Sequence, residues 1–237
     1  MNTDKNYNEA LAFWNSAFAL SDEDRAKKQQ EINDETDLSC LAISTQLVDF
    51  VRENLAGCTK VLDYGCGEGW AGMNLYKLGC RDVTCVDLAE NAIETAKYIA
   101  RLAQIGQGYT AMAVDQNWLD SVADATYNGI VTTCVLDVIP TEVCEYIIKN
   151  LARVATADAK IVVGLNYCHN LQPNPEKGVE IRNGNEVYMD NILRMVSHTD
   201  DEWKQMFIPY FNVEKLDYYA WNNETEKRRR MFVLTKK

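Results

Sequence analysis

The sequence lacks any group of residues at the spacing of a metal site. It has only two histidines, His169 and His198, and neither has metal-ligating partners at a suitable distance along the chain. The eight cysteines are scattered without a Cys-x-x-Cys pair, and most lie in apolar runs, where a free thiol behaves as a small core residue. We therefore expect a reduced, cytoplasmic protein without a metal site.

Positive charge and long apolar runs are also scarce. The chain has 24 Lys and Arg against 35 Asp and Glu, a net charge of −11, so its surface repels nucleic acid phosphates. The dense basic run at 227–230 is predicted to be a solvated turn. No apolar run reaches membrane-spanning length, and the first residues lack a basic region followed by an apolar core. Neither nucleic acid nor a membrane is expected as a partner.

Strand-like and helix-like segments alternate through the middle of the chain. Short β-branched runs occur at 60–63, 83–87, 109–114, 129–133 and 160–165, and helical stretches at 70–79, 90–104, 116–123 and 141–153 separate them. This alternation predicts an α/β fold with a doubly wound, mostly parallel sheet and helices on both faces. A helix at 200–210 and strands at 213–221 and 230–234 predict a closing antiparallel hairpin.

Two segments fall outside this alternation. Residues 1–55 form a predicted helical cap, with Tyr7, Leu11, Trp14 and Phe18 at helical spacing, and 56–237 form the main domain. The stretch 166–199 is rich in turns and leaves the end of the fifth strand, where ligands of open α/β sheets bind. It is a candidate substrate lid, and an ordinary surface excursion is the alternative.

A glycine turn follows the first predicted strand. Gly65, Gly67 and Gly69 lack the Cβ atoms that would keep a ligand away from the backbone, and the next helix directs its free N–H groups at the turn. Asp63, Asp87 and Asp115 stand at the ends of three successive strands, which share one edge of a doubly wound sheet. The spacing therefore predicts three carboxylates around one crevice.

The acidic residue beside the turn distinguishes between two cofactors. A dinucleotide fold has Gly-x-Gly-x-x-Gly, but Trp70 occupies the third glycine position here. Asp63 would repel a pyrophosphate and instead suits a cofactor with an ammonium and a sulfonium. Asp87 suits the two hydroxyls of a ribose.

These residues resemble the motifs of class I S-adenosylmethionine-dependent methyltransferases of the small-molecule type. The segment 61–70 resembles the first motif of that family, 83–97 the second, 114–118 the adenine-contacting segment, 127–140 the fourth-strand motif and 151–165 the fifth strand with its helix. The resemblance implies a Rossmann-like sheet of seven strands, the last antiparallel, with S-adenosylmethionine as cofactor and S-adenosylhomocysteine as product. It implies cofactor contacts from Asp63, Gly65, Cys66, Gly67, Asp87, Leu88, Asp115, Gln116, Asn117, Thr133 and Cys134.

The chain departs from the family pattern at two places. Val138 stands where relatives often carry a histidine that is a common base candidate, and 156–160 replaces a glycine turn before the fifth strand. His169 is the best remaining base candidate and His198 the second. Trp14, Tyr167, Tyr188 and Arg194 are predicted to line the acceptor site.

The predicted activity is methyl transfer to O, N or C of a small molecule by in-line displacement. A non-catalytic, cofactor-binding regulatory subunit is the alternative from another class, and an aminopropyl transferase is a weaker enzymatic rival. A monomer or a homodimer is expected.

Overall fold

A mixed seven-stranded sheet forms the centre of the protein, in a computed structural model that describes residues 5–166 and 172–237. Its strands are β1 (Lys60–Tyr64), β2 (Asp82–Asp87), β3 (Tyr109–Ala113), β4 (Tyr127–Thr133), β5 (Ala155–Leu165), β9 (Phe211–Tyr219) and β10 (Arg229–Lys236). A second sheet contains β6 (Val179–Arg182), β7 (Glu186–Met189) and β8 (Ile192–Val196).

The helices lie before and between these strands. They are α1 (Lys5–Ala17), α2 (Asp22–Glu31), α3 (Thr45–Leu55), α4 (Trp70–Lys77), α5 (Glu90–Leu102), α6 (Trp118–Ser121), α7 (Thr141–Val154) and α8 (Asp200–Phe207). Short 3-10 turns occur at Leu38–Leu41 and Pro175–Lys177. No helix in the described ranges is both long and apolar enough to cross a membrane.

The strand order of the large sheet is β3-β2-β1-β4-β5-β10-β9. Neighbours from β3 to β5 are parallel, and β10 is antiparallel to both β5 and β9. The order reverses between β1 and β4, so the crevice at the carboxyl ends of β1 and β4 is the topological switch point. The predicted seven-stranded, doubly wound sheet with an antiparallel last strand is confirmed.

Two apolar layers hold the helices on the sheet. On one face, the buried side chains Leu47 of α3, Met73 of α4 and Ile93 of α5 join one core. On the other face, Ile147 of α7 and Trp203 of α8 join a second core. Burial on both faces explains why the second half of β5, residues 161–165, is a continuous apolar run.

The segment after β5 folds into two hairpins. The first hairpin has a three-residue loop, 183–185, in which Asn183 and Gly184 have φ of 51° and 85°. The second has a two-residue turn formed by Asp190 and Asn191, whose φ of 51° and 64° are those that a type I′ turn requires. The strands β6, β7 and β8 pair antiparallel around a small cluster formed by Tyr188, Leu193 and Val196.

Three local predictions are wrong. The segment predicted to be a turn at 156–160 belongs to β5, whose pairing with β4 shifts register there. The helix predicted at 116–123 is confined to the single turn of α6. In the basic run, Arg229 and Arg230 begin β10 and are buried rather than solvated. Both have acidic partners, since Arg229 pairs with Glu224 and stacks on Trp221. Arg230 lies 3.6 Å from Asp200.

Candidate cofactor and acceptor site

The glycine turn between β1 and α4 has a backbone that only glycine adopts without strain. Gly65, Gly67 and Gly69 have φ of 69°, 53° and 80°. A Cβ atom on Gly65 would lie 2.2 Å from Cγ2 of Val135 in the loop after β4. The turn is also fixed to β2, since Gly65 N and Cys66 N donate to the carbonyl of Val86 at 2.8 and 3.0 Å.

Asp87, the last residue of β2, holds the turn from the side. Its carboxylate accepts the N–H of Gly67 at 2.9 Å and the N–H of Ala89 at 2.8 Å. Burial raises the pKa of Asp87, and these backbone hydrogen bonds oppose that change. Each oxygen retains a further lone pair, so the carboxylate can still accept from a ligand hydroxyl.

Asp63 lies beneath the turn and is only 2 % exposed. One carboxylate oxygen accepts the N–H of Gly72 at 2.8 Å and lies 3.9 Å from the Cys85 sulfur. Burial raises the pKa of Asp63 to about 7, although the Gly72 hydrogen bond acts in the opposite direction. Asp63 has no ion-pair partner among the residues that the structure describes, and a carboxylate at this depth favours a positively charged ligand group nearby.

The loop after β3 adds the third acidic residue. Asp115 is exposed and accepts the N–H of Asn117 at 2.8 Å, which begins the turn into α6 with Gln116. Val114 N donates to the carbonyl of Asp87 at 3.0 Å, so this loop starts beside the end of β2, where Leu88 is half-buried. The predicted adenine contacts therefore lie next to the predicted ribose contact.

The end of β4 forms the opposite wall of the switch point. Cys134, which follows Thr133, has φ of 59° and donates its N–H to the carbonyl of Gly164 in β5 at 2.8 Å. Burial raises the pKa of the Cys134 thiol to about 12, so it stays a neutral thiol at physiological pH. Positive φ in a non-glycine residue is often found at functional sites.

The segment after α1 covers the glycine turn. Atoms of the Phe18 ring lie 3.2 and 3.3 Å from the position that a Cβ on Gly67 would occupy. The carbonyl of Phe18 accepts from the Thr95 hydroxyl of α5 at 3.1 Å, and two hydrogen bonds join Asn15 to Asn91. The N-terminal helices are thus fixed to the wall of the crevice.

The N-terminal helices and the small sheet contact each other. The Arg194 guanidinium of β8 lies 3.5 Å from the ring centroid of Phe13 and 5.7 Å from that of Trp14, both in α1. The indole N–H of Trp14 is buried without a hydrogen-bond partner among the described residues. Tyr188 lies in the core of the small sheet instead, with its hydroxyl 3.2 Å from Glu186 and its ring against Arg182.

Of the two histidines and Tyr167, the structure describes His198, which does not join these groups. His169 and Tyr167 lie outside the described residues. His198 packs edge-on against Trp203 at the start of α8, with ring centroids 5.1 Å apart, and burial lowers its pKa.

Asp137 is a buried acidic residue to which the sequence analysis assigned no role. It is fully buried in the loop after β4, where its carboxylate accepts the N–H of Asn166 at 2.5 Å and its carbonyl accepts the N–H of Val196 at 2.7 Å. Burial raises its pKa to about 6, with Arg230 among the opposing influences. The sequence carried a signal for this buried carboxylate, since Asp137 is flanked by the apolar residues Leu136 and Val138. An acidic residue inside an apolar run is buried with the run and then needs hydrogen-bond partners.

Comparison with known proteins identifies the family. A family model described as a methyltransferase domain matches residues 56–225. The chain belongs to this family, and by family and fold it is a class I S-adenosylmethionine-dependent methyltransferase.

Two curated relatives show the range of similar proteins. The chain is 32% identical over 84 residues to a ribosomal protein L11 methyltransferase of Cupriavidus pinatubonensis, covering 35% of this chain and 26% of the relative. It is 25% identical over 166 residues to a ubiquinone biosynthesis O-methyltransferase of Neisseria meningitidis, covering 68% of this chain and 63% of the relative. The first match thus spans about a quarter of the relative's length, and the second spans somewhat under two thirds.

Solved structures share the fold at low identity. The Burkholderia thailandensis 1,6-didemethyltoxoflavin-N1-methyltransferase, solved with 1,6-didemethyltoxoflavin and S-adenosylhomocysteine, has a TM-score of 0.66 and 14% identity, covering 90% of this chain and 86% of that one. An S-adenosylmethionine-dependent methyltransferase of Mesorhizobium loti has a TM-score of 0.61 and 13% identity, covering 82% and 98%.

Proposed function

We propose that this protein transfers a methyl group from S-adenosylmethionine to an oxygen, nitrogen or carbon atom of a small-molecule acceptor. The observation that carries the proposal is the pair of carboxylates beside the glycine turn, the buried Asp63 and the half-buried Asp87. Asp63 would repel a pyrophosphate and is complementary to an ammonium group, whereas Asp87 is complementary to ribose hydroxyls.

The residues present fit the cofactor of the family. Asp87 retains acceptor capacity for hydroxyls, and Asp63 offers negative charge to an ammonium, directly or through water. When bound, S-adenosylmethionine supplies a methyl group on a sulfonium whose departure needs no proton. The work of the chain is therefore to orient the two reactants and to exclude water, which Phe18 supports by lying on Gly67.

A small acceptor is favoured by the covering of the crevice. In this proposal 56–237 holds the methyl donor, and the cap of residues 1–55 and the insertion 166–199 form the acceptor side. The contact of Arg194 with Phe13 joins cap and insertion, which supports an enclosed site. The indole N–H of Trp14, which has no partner in the described part of the chain, is a donor for a polar acceptor group. Asp137 positions the ends of β4 and β5.

Calorimetry followed by labelling tests the proposal. The protein is titrated with S-adenosylmethionine and S-adenosylhomocysteine, then incubated with a labelled methyl donor and either a metabolite extract or a protein extract. Label in a small molecule is the expected result. Label in proteins alone would overturn the small-molecule assignment, and binding without any labelled product would favour a regulatory subunit.

A further inference from the structure

A basic groove lies on the flank of the large sheet, away from the crevice at its switch point. It has a volume of about 670 Å³ and lies between α2, α5 and the first half of β3, with Arg25, Lys97 and Arg101 along its wall and Ala111 on its floor. Asp115 of the cofactor site follows the other end of β3. The groove is thus separate from the proposed reaction site.

The three cations of the groove have no acidic partner. Arg25, Lys97 and Arg101 form no ion pair with any residue in the described ranges. Glu94, which is the acidic residue lining the groove, is among the residues with which they do not pair. In a chain of net charge −11, three unpaired cations side by side form a local positive patch. Such a patch attracts a ligand with several negative charges.

Aromatic contacts hold two of these cations together. The guanidinium carbons of Arg25 and Arg101 lie 5.3 and 5.8 Å from the ring centroid of Tyr98, whose hydroxyl donates to the carbonyl of Arg25 at 3.0 Å. Both guanidiniums are therefore positioned by one ring.

The groove also borders β3, the edge strand of the large sheet, in which Ala113 is exposed and Ala111 is 8% exposed. Val83 N donates to the carbonyl of Gly108, and Val114 N donates to that of Asp87. In a parallel pair of strands, every second residue directs its N–H and C=O groups at the neighbouring strand. Since Gly108 and Val114 bond to β2, the N–H and C=O groups of Ala111 and Ala113 point away from β2, at the edge of the sheet.

This edge lacks the protection that the opposite edge of the sheet has. The outer strand β9 carries Glu214, Lys215 and Asp217, which hinder pairing with another strand. The sequence of β3, Tyr-Thr-Ala-Met-Ala, contains neither charge nor proline, and its pairing with β2 has no bulge. An edge of this kind accepts an added strand.

From the coincidence of unpaired cations and an open strand edge, we propose that the groove binds an extended acidic peptide segment of a partner protein. The peptide adds to β3 as an eighth strand through hydrogen bonds to Ala111 and Ala113. Its acidic side chains on the α5 face then meet Lys97 and Arg101. The site is independent of the acceptor and of the methyl donor.

Titration followed by amide NMR tests this proposal. The probe is a capped hexapeptide of alternating glutamate and valine, with one version containing glutamine for glutamate and another carrying N-methylated backbone amides. The glutamate peptide is expected to shift the amide signals of Ala111 and Ala113. Lys97→Glu is expected to weaken binding about tenfold or more, because it replaces attraction by repulsion, whereas Lys149→Glu, an equally exposed change on α7, leaves the affinity unchanged.

Several results would overturn the proposal. They are no binding of the glutamate peptide, equal binding of the glutamine peptide, or equal binding of the N-methylated peptide. Displacement of the peptide by equimolar citrate or inorganic phosphate would assign the groove to a small anion. Shifts at Ala111 that grow with protein concentration alone would assign the edge to a second copy of this chain.

Discussion

Replacing Asp63 by asparagine is expected to stabilise the free protein at neutral and alkaline pH. The asparagine oxygen can still accept the N–H of Gly72, but no charge is buried. In the unfolded chain Asp63 ionises near its ordinary pKa of 3.8, whereas in the folded protein it stays protonated up to about pH 7. The stability that the neutral carboxyl contributes is therefore complete below about pH 4 and is lost as the pH rises through 7.

The size of the effect follows from these two pKa values. The difference between about 7 and 3.8 corresponds to about 4 kcal/mol, which is the largest gain expected for Asp63→Asn at pH 8. At pH 4 the variant and the parent should have nearly equal free energies of unfolding. Urea denaturation at the two pH values measures the difference, and Asp49→Asn, at an exposed position, serves as the charge-matched control.

The same substitution is expected to impair cofactor binding. If the ionised Asp63 holds the ammonium group of S-adenosylmethionine, protonation of Asp63 should weaken binding. The dissociation constant of the parent should therefore rise about tenfold for each pH unit below pH 7 and be constant above pH 7. Asp63→Asn should remove this pH dependence and bind weakly throughout. A variant that is less stable than the parent at pH 8, or that retains the pH dependence of binding, would refute the reasoning.

Three further variants address the crevice. Asp87→Ala leaves two backbone N–H groups without their acceptor and should weaken S-adenosylhomocysteine binding about 100-fold in calorimetry; an unchanged affinity would remove Asp87 from the site. Gly65→Ala places a Cβ against Val135 at positive φ and should lower the free energy of unfolding by about 3 kcal/mol. Gly57→Ala is the control, because its Cβ meets nothing within 4 Å, and should cost about 1 kcal/mol. Equal losses in the two variants would contradict the packing argument. Phe18→Ala should raise the dissociation constant of the cofactor about tenfold while Phe18→Leu retains most of the affinity, and a loss confined to thermal stability would show that the ring only packs.

The parallel part of the sheet was predictable because its signals are local. Each strand is a short apolar run, and Asp63 and Asp87 stand at strand ends, where topology alone brings them together. The contacts of the carboxylates with Gly72 and Gly67 were not predictable, since they depend on the path of the turn in three dimensions. The sheet of seven strands with an antiparallel last strand was implied by the family resemblance, and the structure confirms it.

The insertion shows a signal that was available and underused. Asn183-Gly184 between two β-prone runs is a strong hairpin signal, yet the segment was predicted as a turn-rich candidate lid or surface excursion without any strands. The burial of Arg230 had no such local signal. It depends on Asp200, thirty positions away in sequence, and on the β10 register that brings Arg230 opposite Leu165.

The attachment of the small sheet has a consequence for the divergence of this fold. The insertion leaves the large sheet after β5 and returns through α8, and within the described residues a backbone hydrogen bond joins its Val196 to Asp137. None of its strands belongs to the ladder from β3 to β9. Mutation can therefore lengthen, shorten or rewrite the segment without shifting the register of any strand of the large sheet, so relatives can diverge there quickly while the switch point stays intact.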